Sequence, residues 1–85
     1  MDKLIVTIRD RKKRFNMYDI EIPFDVQISV LKKDIVETLN SYKKRLNLSD
    51  ANVRLGSARL GRTLGENETP ESAGIWNGDY IDFDN

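Results

Sequence analysis

The chain has 85 residues, 39% hydrophobic and 33% charged, with fourteen basic and fourteen acidic side chains and neither cysteine nor histidine. That length fits one domain, residues 1–85, with a modest core. The composition excludes disulfides and thiolate or imidazole metal centres, and apolar runs of a few residues fall short of the ~18–20 that a spanning helix needs.

Met1-Asp2-Lys3 does not open a signal peptide, so a cytoplasmic protein without membrane insertion is expected. Leu4, Val6 and Ile8 alternate with Lys3, Ile5, Thr7 and Arg9, the period-two pattern of a half-buried strand over about 3–9. Asp10-Arg11-Lys12-Lys13-Arg14 holds no apolar residue and reads as a hairpin loop. Tyr18, Ile20 and Ile22 alternate with Met17, Asp19 and Glu21 in a second strand over about 15–22, which Pro23 ends by removing a backbone donor.

The period then changes. Ile28, Leu31, Ile35, Leu39, Tyr42 and Leu46 recur every three or four residues and line one face of a helix over about 28–45. Lys32, Lys33, Glu37, Asn40 and Lys44 fall mainly on its other sides, and either Gln27 or Ser29 could cap its start. Lys43-Lys44-Arg45 suits the negative end of the helix dipole. Val53 and Leu55 suggest a third strand and Arg59-Leu60 a short fourth, with Gly56, Gly61 and Gly65 marking the turns. Glu66 to Gly74 reads as an irregular connection around Pro70, and Ile75 as a buried plug. Asn77-Gly78 is a tight-turn signal, and Tyr80 to Asp84 alternates as the closing strand. One long amphipathic helix and one apolar sheet face need each other, which makes the fold class α+β.

The stretch "SVLKKDIVETL" and above all "AGIWNGDYIDF" carry a family resemblance. With Ile20-Glu21-Ile22-Pro23 feeding the helix and "RTLGENETPESAGIWNGDYIDF" closing the chain, the sequence resembles ubiquitin. Nearly the whole chain is similar to the small bacterial ubiquitin-like proteins of the YukD/EsaB family, cytosolic accessories of type VII (WXG-type) secretion. The resemblance implies a β-grasp fold, β-β-α-β-β-β, with one main helix on a mixed four- to five-stranded sheet whose first and last strands pair in parallel. It also implies protein partners among the cytosolic parts of a membrane secretion machinery. The basic insertion Arg11 to Arg14 and extra length near Glu66 depart from the compact members.

Catalytic parts are missing from the sequence. Without His or Cys most nucleophile–base pairs fail, and no glycine-rich phosphate cradle or EF-hand loop is present, so neither enzyme activity nor cofactor is expected. Asp82 and Asp84 would share one strand face about 6–7 Å apart, read as a solvated outer face. Ubiquitin-type modifiers and β-grasp sulfur carriers use a C-terminal diglycine, whereas this sequence ends Phe83-Asp84-Asn85, so conjugation by that route is not expected.

Three features could bind a protein. Arg11, Lys12, Lys13 and Arg14, beside Arg9, form a dense basic loop that is either a solvated hairpin tip or a contact for an acidic protein face. Nucleic acid is disfavoured, since only Phe15 is at hand for stacking and the net charge is zero. If Leu4, Val6 and Ile8 point inward, Ile5 and Met17 share the outer sheet face. Trp76 follows the buried Ile75 and so comes to the surface, where it covers the core edge or marks an interface. A competing reading is a charge-paired scaffold similar to PB1 domains. Residues 1–45 carry eleven Lys/Arg against seven Asp/Glu, +4, and residues 46–85 three against seven, −4.

Overall fold

The computed structural model describes residues 3–85. The elements run β1 (Lys3–Asp10), β2 (Tyr18–Pro23), α1 (Ile28–Tyr42), a 3-10 turn (Asp50–Asn52), β3 (Arg54–Ser57), β4 (Arg62–Thr63), α2 (Pro70–Ala73) and β5 (Tyr80–Asp84). The sheet order is β2-β1-β5-β3-β4. β1 and β5 run parallel, pairing Thr7 with Tyr80 and Asp10 with Phe83, while the other neighbours are antiparallel. This is the expected mixed sheet of a ubiquitin-like β-grasp.

Leu4, Val6 and Ile8 of β1 and Ile81 and Phe83 of β5 point to one face and are buried there under Ile28, Leu31, Ile35, Val36 and Leu39 of α1. A sheet with one apolar face and a helix with one apolar stripe bury each other. Phe83 is wholly buried, with the Phe15 ring edge-on at 5.6 Å. Phe15 therefore belongs to the core although it stands in the loop ahead of β2, which begins at Tyr18 rather than at residue 15.

The helix departs from its sequence pattern at both ends. It stops at Tyr42, so Lys43-Lys44-Arg45 lie beyond it and no basic residue occupies its last turn. Its N-cap is Gln27, whose side chain makes no capping bond; the amides of Ile28 and Ser29 donate instead to the carbonyls of Glu68 and Glu66. The 66–68 segment thus supplies acceptors that neither Gln27 nor Ser29 provides. Lys32 is buried rather than solvated, because Glu66 Oε1 meets its Nζ at 2.5 Å. Asn40 grips the chain after the helix, its amide bonding the Leu48 carbonyl and its oxygen the Leu48 amide, both at 2.8 Å.

The fourth strand falls on Arg62–Thr63 rather than Arg59-Leu60, and Gly56 lies within β3 rather than at a turn. The connection from Glu66 to Gly74 is not irregular throughout. Thr69 and Ser72 form a reciprocal capping box at 2.9 and 3.0 Å around α2, Pro70 takes its first position, and Gly74 ends it at φ 78°. Thr69→Ala is expected to cost about 1 kcal/mol, read as a lower urea midpoint with unchanged slope.

Candidate protein-binding surfaces

Alternation along β1 places Lys3, Ile5, Thr7 and Arg9 on the sheet face that the helix leaves open. Strand register adds Asp19 and Glu21 from β2 and Tyr80, Asp82 and Asp84 from β5. The polar members are mostly paired: Thr7 Oγ1 donates to Asp19 at 2.6 Å, and Lys3 lies 3.5 Å from Glu21. Ile5 is 49% exposed on this face, and Tyr80, paired with the neighbouring Thr7, is exposed there too. Met17 is also exposed, but it precedes the last pair, Ile8 with Tyr18. Continuing that register sets it beside Arg9, four residues and ~13 Å from Ile5, so the two form no single patch.

Asp82 corrects the expectation of a solvated carboxylate pair. Asp84 is exposed, but Asp82 is buried, with Arg9 Nε 2.7 Å from Oδ1 and Arg11 3.9 Å from Oδ2. The parallel pairing of β1 with β5 puts Arg9 directly across from Asp82, and the guanidinium also lies 5.4 Å over the Tyr80 ring.

The basic loop is built around an acid. The Asp10 carboxylate, fully covered, accepts bonds from the Lys12 amide at 3.0 Å, the Arg14 amide at 2.7 Å and the Arg14 guanidinium at 2.9 and 3.1 Å. Burial works to raise this carboxyl, but the bonds from Arg14 and the two amides outweigh it and hold it below its ordinary value. Lys13 turns the chain at φ 57° with its amide on the Asp10 carbonyl. Arg14 also lies 6.0 Å over the Phe83 ring, and Lys12 donates to the Asn85 carbonyl. Of the four loop cations, Arg11 and Arg14 are thus engaged with carboxylates, while Lys12 and Lys13 have no ion pair among the described residues.

Trp76 lies toward the other end of the sheet, because β5 runs parallel to β1 and its first residue, Tyr80, pairs with Thr7. The Trp76–Asp79 turn closes through the Asp79 amide on the Trp76 carbonyl, with Gly78 at φ 87°. Asn77 Oδ1 accepts the Ile5 amide and the Gly78 amide donates to the Ile5 carbonyl, which pins this turn to β1. Trp76 is 61% exposed, and the Arg59 guanidinium stacks 3.7 Å from its ring centroid. Arg59 is itself held by both oxygens of Asp79 and by the Gly74 carbonyl. The bond from Arg59 leads in holding the Asp79 carboxyl below its ordinary value; burial opposes it and the Trp76 amide adds to it. Arg59, read from the sequence as a strand residue, is the fixed backing of an exposed indole. Only the later Asp at position 79 hints at this.

On the far edge Arg62 grips Glu68 through both guanidinium nitrogens at 2.8 and 2.9 Å, and with the Gly65 amide brings that carboxyl to about 2. No group of three or more metal-ligating side chains is found among the described residues, nor any helix long and apolar enough to cross a membrane.

A family model described as WXG100 protein secretion system (Wss), protein YukD, matches residues 4–81. No curated protein matches the chain. Among solved structures, the ubiquitin of Caldiarchaeum subterraneum superposes with a TM-score of 0.75 at 21% identity, covering 96% of this chain and 91% of that one. The ubiquitin-like domain of Dsk2 from Plasmodium falciparum gives 0.74 at 16%, covering 96% of each chain. A ubiquitin-like domain of an Arabidopsis thaliana protein gives 0.74 at 18%, covering 98% and 77%. At such identities these likenesses establish the fold.

Proposed function

The chain belongs to the YukD family of the WXG100 protein secretion system, and from that premise we propose that it is a non-catalytic interaction module that docks on the cytoplasmic parts of this secretion machinery. The observation that carries the reading is the division of the sheet: one face is spent on α1, and the other is open, with Ile5 exposed on it and the Arg11 to Arg14 loop at its rim. Apolar contact at Ile5, with Met17 at the corner, sets residence time. The ammonium groups of Lys12 and Lys13, neither in an ion pair among the described residues, speed encounter with an acidic face and make it salt-sensitive. Trp76 extends the contact at the opposite end.

The test combines a secretion assay in the host with binding to purified cytoplasmic domains of the machinery. Ile5→Asp, alone and with Met17→Asp, is expected to abolish capture and secretion while melting as the parent does. Lys12→Glu with Lys13→Glu is expected to slow association chiefly at low salt. Normal capture by a folded Ile5→Asp protein would remove the open sheet face from consideration. Oligomers of the isolated chain that dissolve in salt would favour the charge-paired scaffold instead.

A further inference from the structure

The apolar stripe of α1 outlasts the sheet that it covers. Ile28, Leu31, Ile35 and Leu39 are buried; Tyr42 follows at the same helical spacing yet is 84% exposed. Opposite the end of the helix stands the segment ahead of β2. Between them runs an open groove of ≈ 370 Å³, whose walls include Phe15, Met17, Tyr18, Leu39, Tyr42 and Lys43. Met17 is 57% exposed, so one groove holds two of the three most exposed large apolar side chains among the described residues, Trp76 being the third. Apolar side chains left in water around a shaped space are what a partner's apolar residues would cover.

Two further observations say what kind of partner fits. The Tyr18 hydroxyl is buried without any hydrogen-bond partner among the described residues. A donor hidden from water and left unpaired is costly; Tyr18 lines the groove, and a small rotation of its side chain on binding would bring the hydroxyl out to a main-chain carbonyl of the partner. Charge gives the other indication. No carboxylate lines the groove, whereas Lys43 does, its Nζ 3.4 Å from the Arg14 carbonyl, and exposed Lys44 and Arg45 come next in the chain.

We propose that this groove between the end of α1 and the start of β2 binds an acidic, leucine-like segment of a partner protein. Its apolar side chains fill the space between Met17 and Tyr42, where the flexible thioether adapts to their shape. One of its carbonyls accepts the Tyr18 hydroxyl, and its carboxylates meet Lys43 and the cations that follow. The groove lies on the helix side of the hairpin, so it is a second contact beyond the open sheet face.

The experiment is a titration of the isotope-labelled full chain with a synthetic peptide of three leucines between pairs of glutamates, followed by amide chemical shifts. Saturable shifts are expected at Met17, Tyr18, Leu39 and Tyr42. Tyr42→Ser and, at low salt, Lys43→Glu should each weaken binding about tenfold. Tyr18→Phe separates binding from packing: it should weaken the complex several-fold while the free protein melts at the same temperature or higher. Ile5→Asp should bind the peptide like the parent, whatever it does to docking on the machinery. Absence of saturation at millimolar peptide, shifts confined to the sheet face around Ile5, or parental binding by both Tyr18→Phe and Tyr42→Ser would overturn the proposal. A peptide-free dimer that Tyr42→Ser abolishes would also overturn it, by assigning the groove to a second copy of the chain.

Discussion

Phe83→Ala is expected to cost about 3–5 kcal/mol, the range for emptying a buried aromatic site. Phe83 has no exposed surface, it meets Phe15 edge-on at 5.6 Å, and Arg14 lies over its ring. Its loss would leave a cavity at the far end of the parallel pair and loosen Phe15, which has no strand of its own to hold it. A domain of this size has roughly 5–15 kcal/mol in all, so the variant should sit close to unfolding at ambient temperature. Urea denaturation measures this directly, and Phe83→Leu, which keeps most of the volume, should lose much less. A loss under about 1 kcal/mol for the alanine variant would mean that the β5 register is wrong.

Asp10→Ala is expected to cost about 2–4 kcal/mol, because it strips partners from a guanidinium and two amides at once. The figure sits below that for a fully buried pair, since Arg14 keeps about a quarter of its side chain in water (27% exposed). Asp10 is held below its ordinary value in the folded state, so the unfolded chain takes up its proton first as pH falls. The stabilisation is therefore complete above the unfolded value of about 4 and is lost as pH drops through the folded one. The stability gap between parent and Asp10→Ala should be constant near neutrality and narrow below about pH 4. A gap that stays the same at pH 7 and pH 3 would mean that Asp10 does not organise the loop as an ion. Losing this centre should also scatter Lys12 and Lys13, so the same variant should bind partners with weaker salt dependence.

What was legible in the sequence had a period. Leu4, Val6 and Ile8, the stripe from Ile28 to Leu39, and Ile81 with Phe83 revealed strands, helix and core, because each pattern spans enough residues to fix a face. The misplaced pieces were short or depended on distant neighbours. A two-residue strand such as Arg62–Thr63 has no period, and its position follows from pairing with Gly56 and Ser57. A helical wheel sets Lys32, four residues after Ile28 and three before Ile35, within the apolar stripe, but nothing near it in the chain shows what pairs its charge until Glu66 comes across from the later connection. The Thr69-Pro70 start and Ser72 of α2 were readable as a capping signature, yet one turn is too short to show amphipathicity.

The surfaces were harder still. Exposure at Ile5, Met17 and Trp76 followed from alternation and from the turn at Asn77-Gly78. Tyr42 did not, because periodicity tells which way a side chain faces and not whether the sheet extends beneath it. A run of like charges hides the one residue that orders it: Asp10 and Arg14 stand four apart in a loop, where no helix suggests that they meet. Alternation puts Asp82 on the correct face but cannot show that it is dry, since Arg9 reaches it only through the parallel pairing of the ends.

That parallel pairing also governs how the molecule comes into being. Thr7 meets Tyr80 and Asp10 meets Phe83, so two adjacent inner strands of the sheet are joined by residues 73 apart in the chain. The β1–β2 hairpin and α1 can form early from neighbours, but the core they share stays open on one side until the last strand arrives. Closing so long a loop before its contacts repay the lost chain entropy makes assembly slow relative to a helical protein of equal size. It also makes assembly all-or-none: until β5 docks, Val6 and Ile8 lack their flanking strand, Asp82 is not there to fix Arg9, and the indole of Trp76 has no anchored turn to stand on. The fixed Arg9 and the anchored turn under Trp76 therefore arrive in one step with the closing strand.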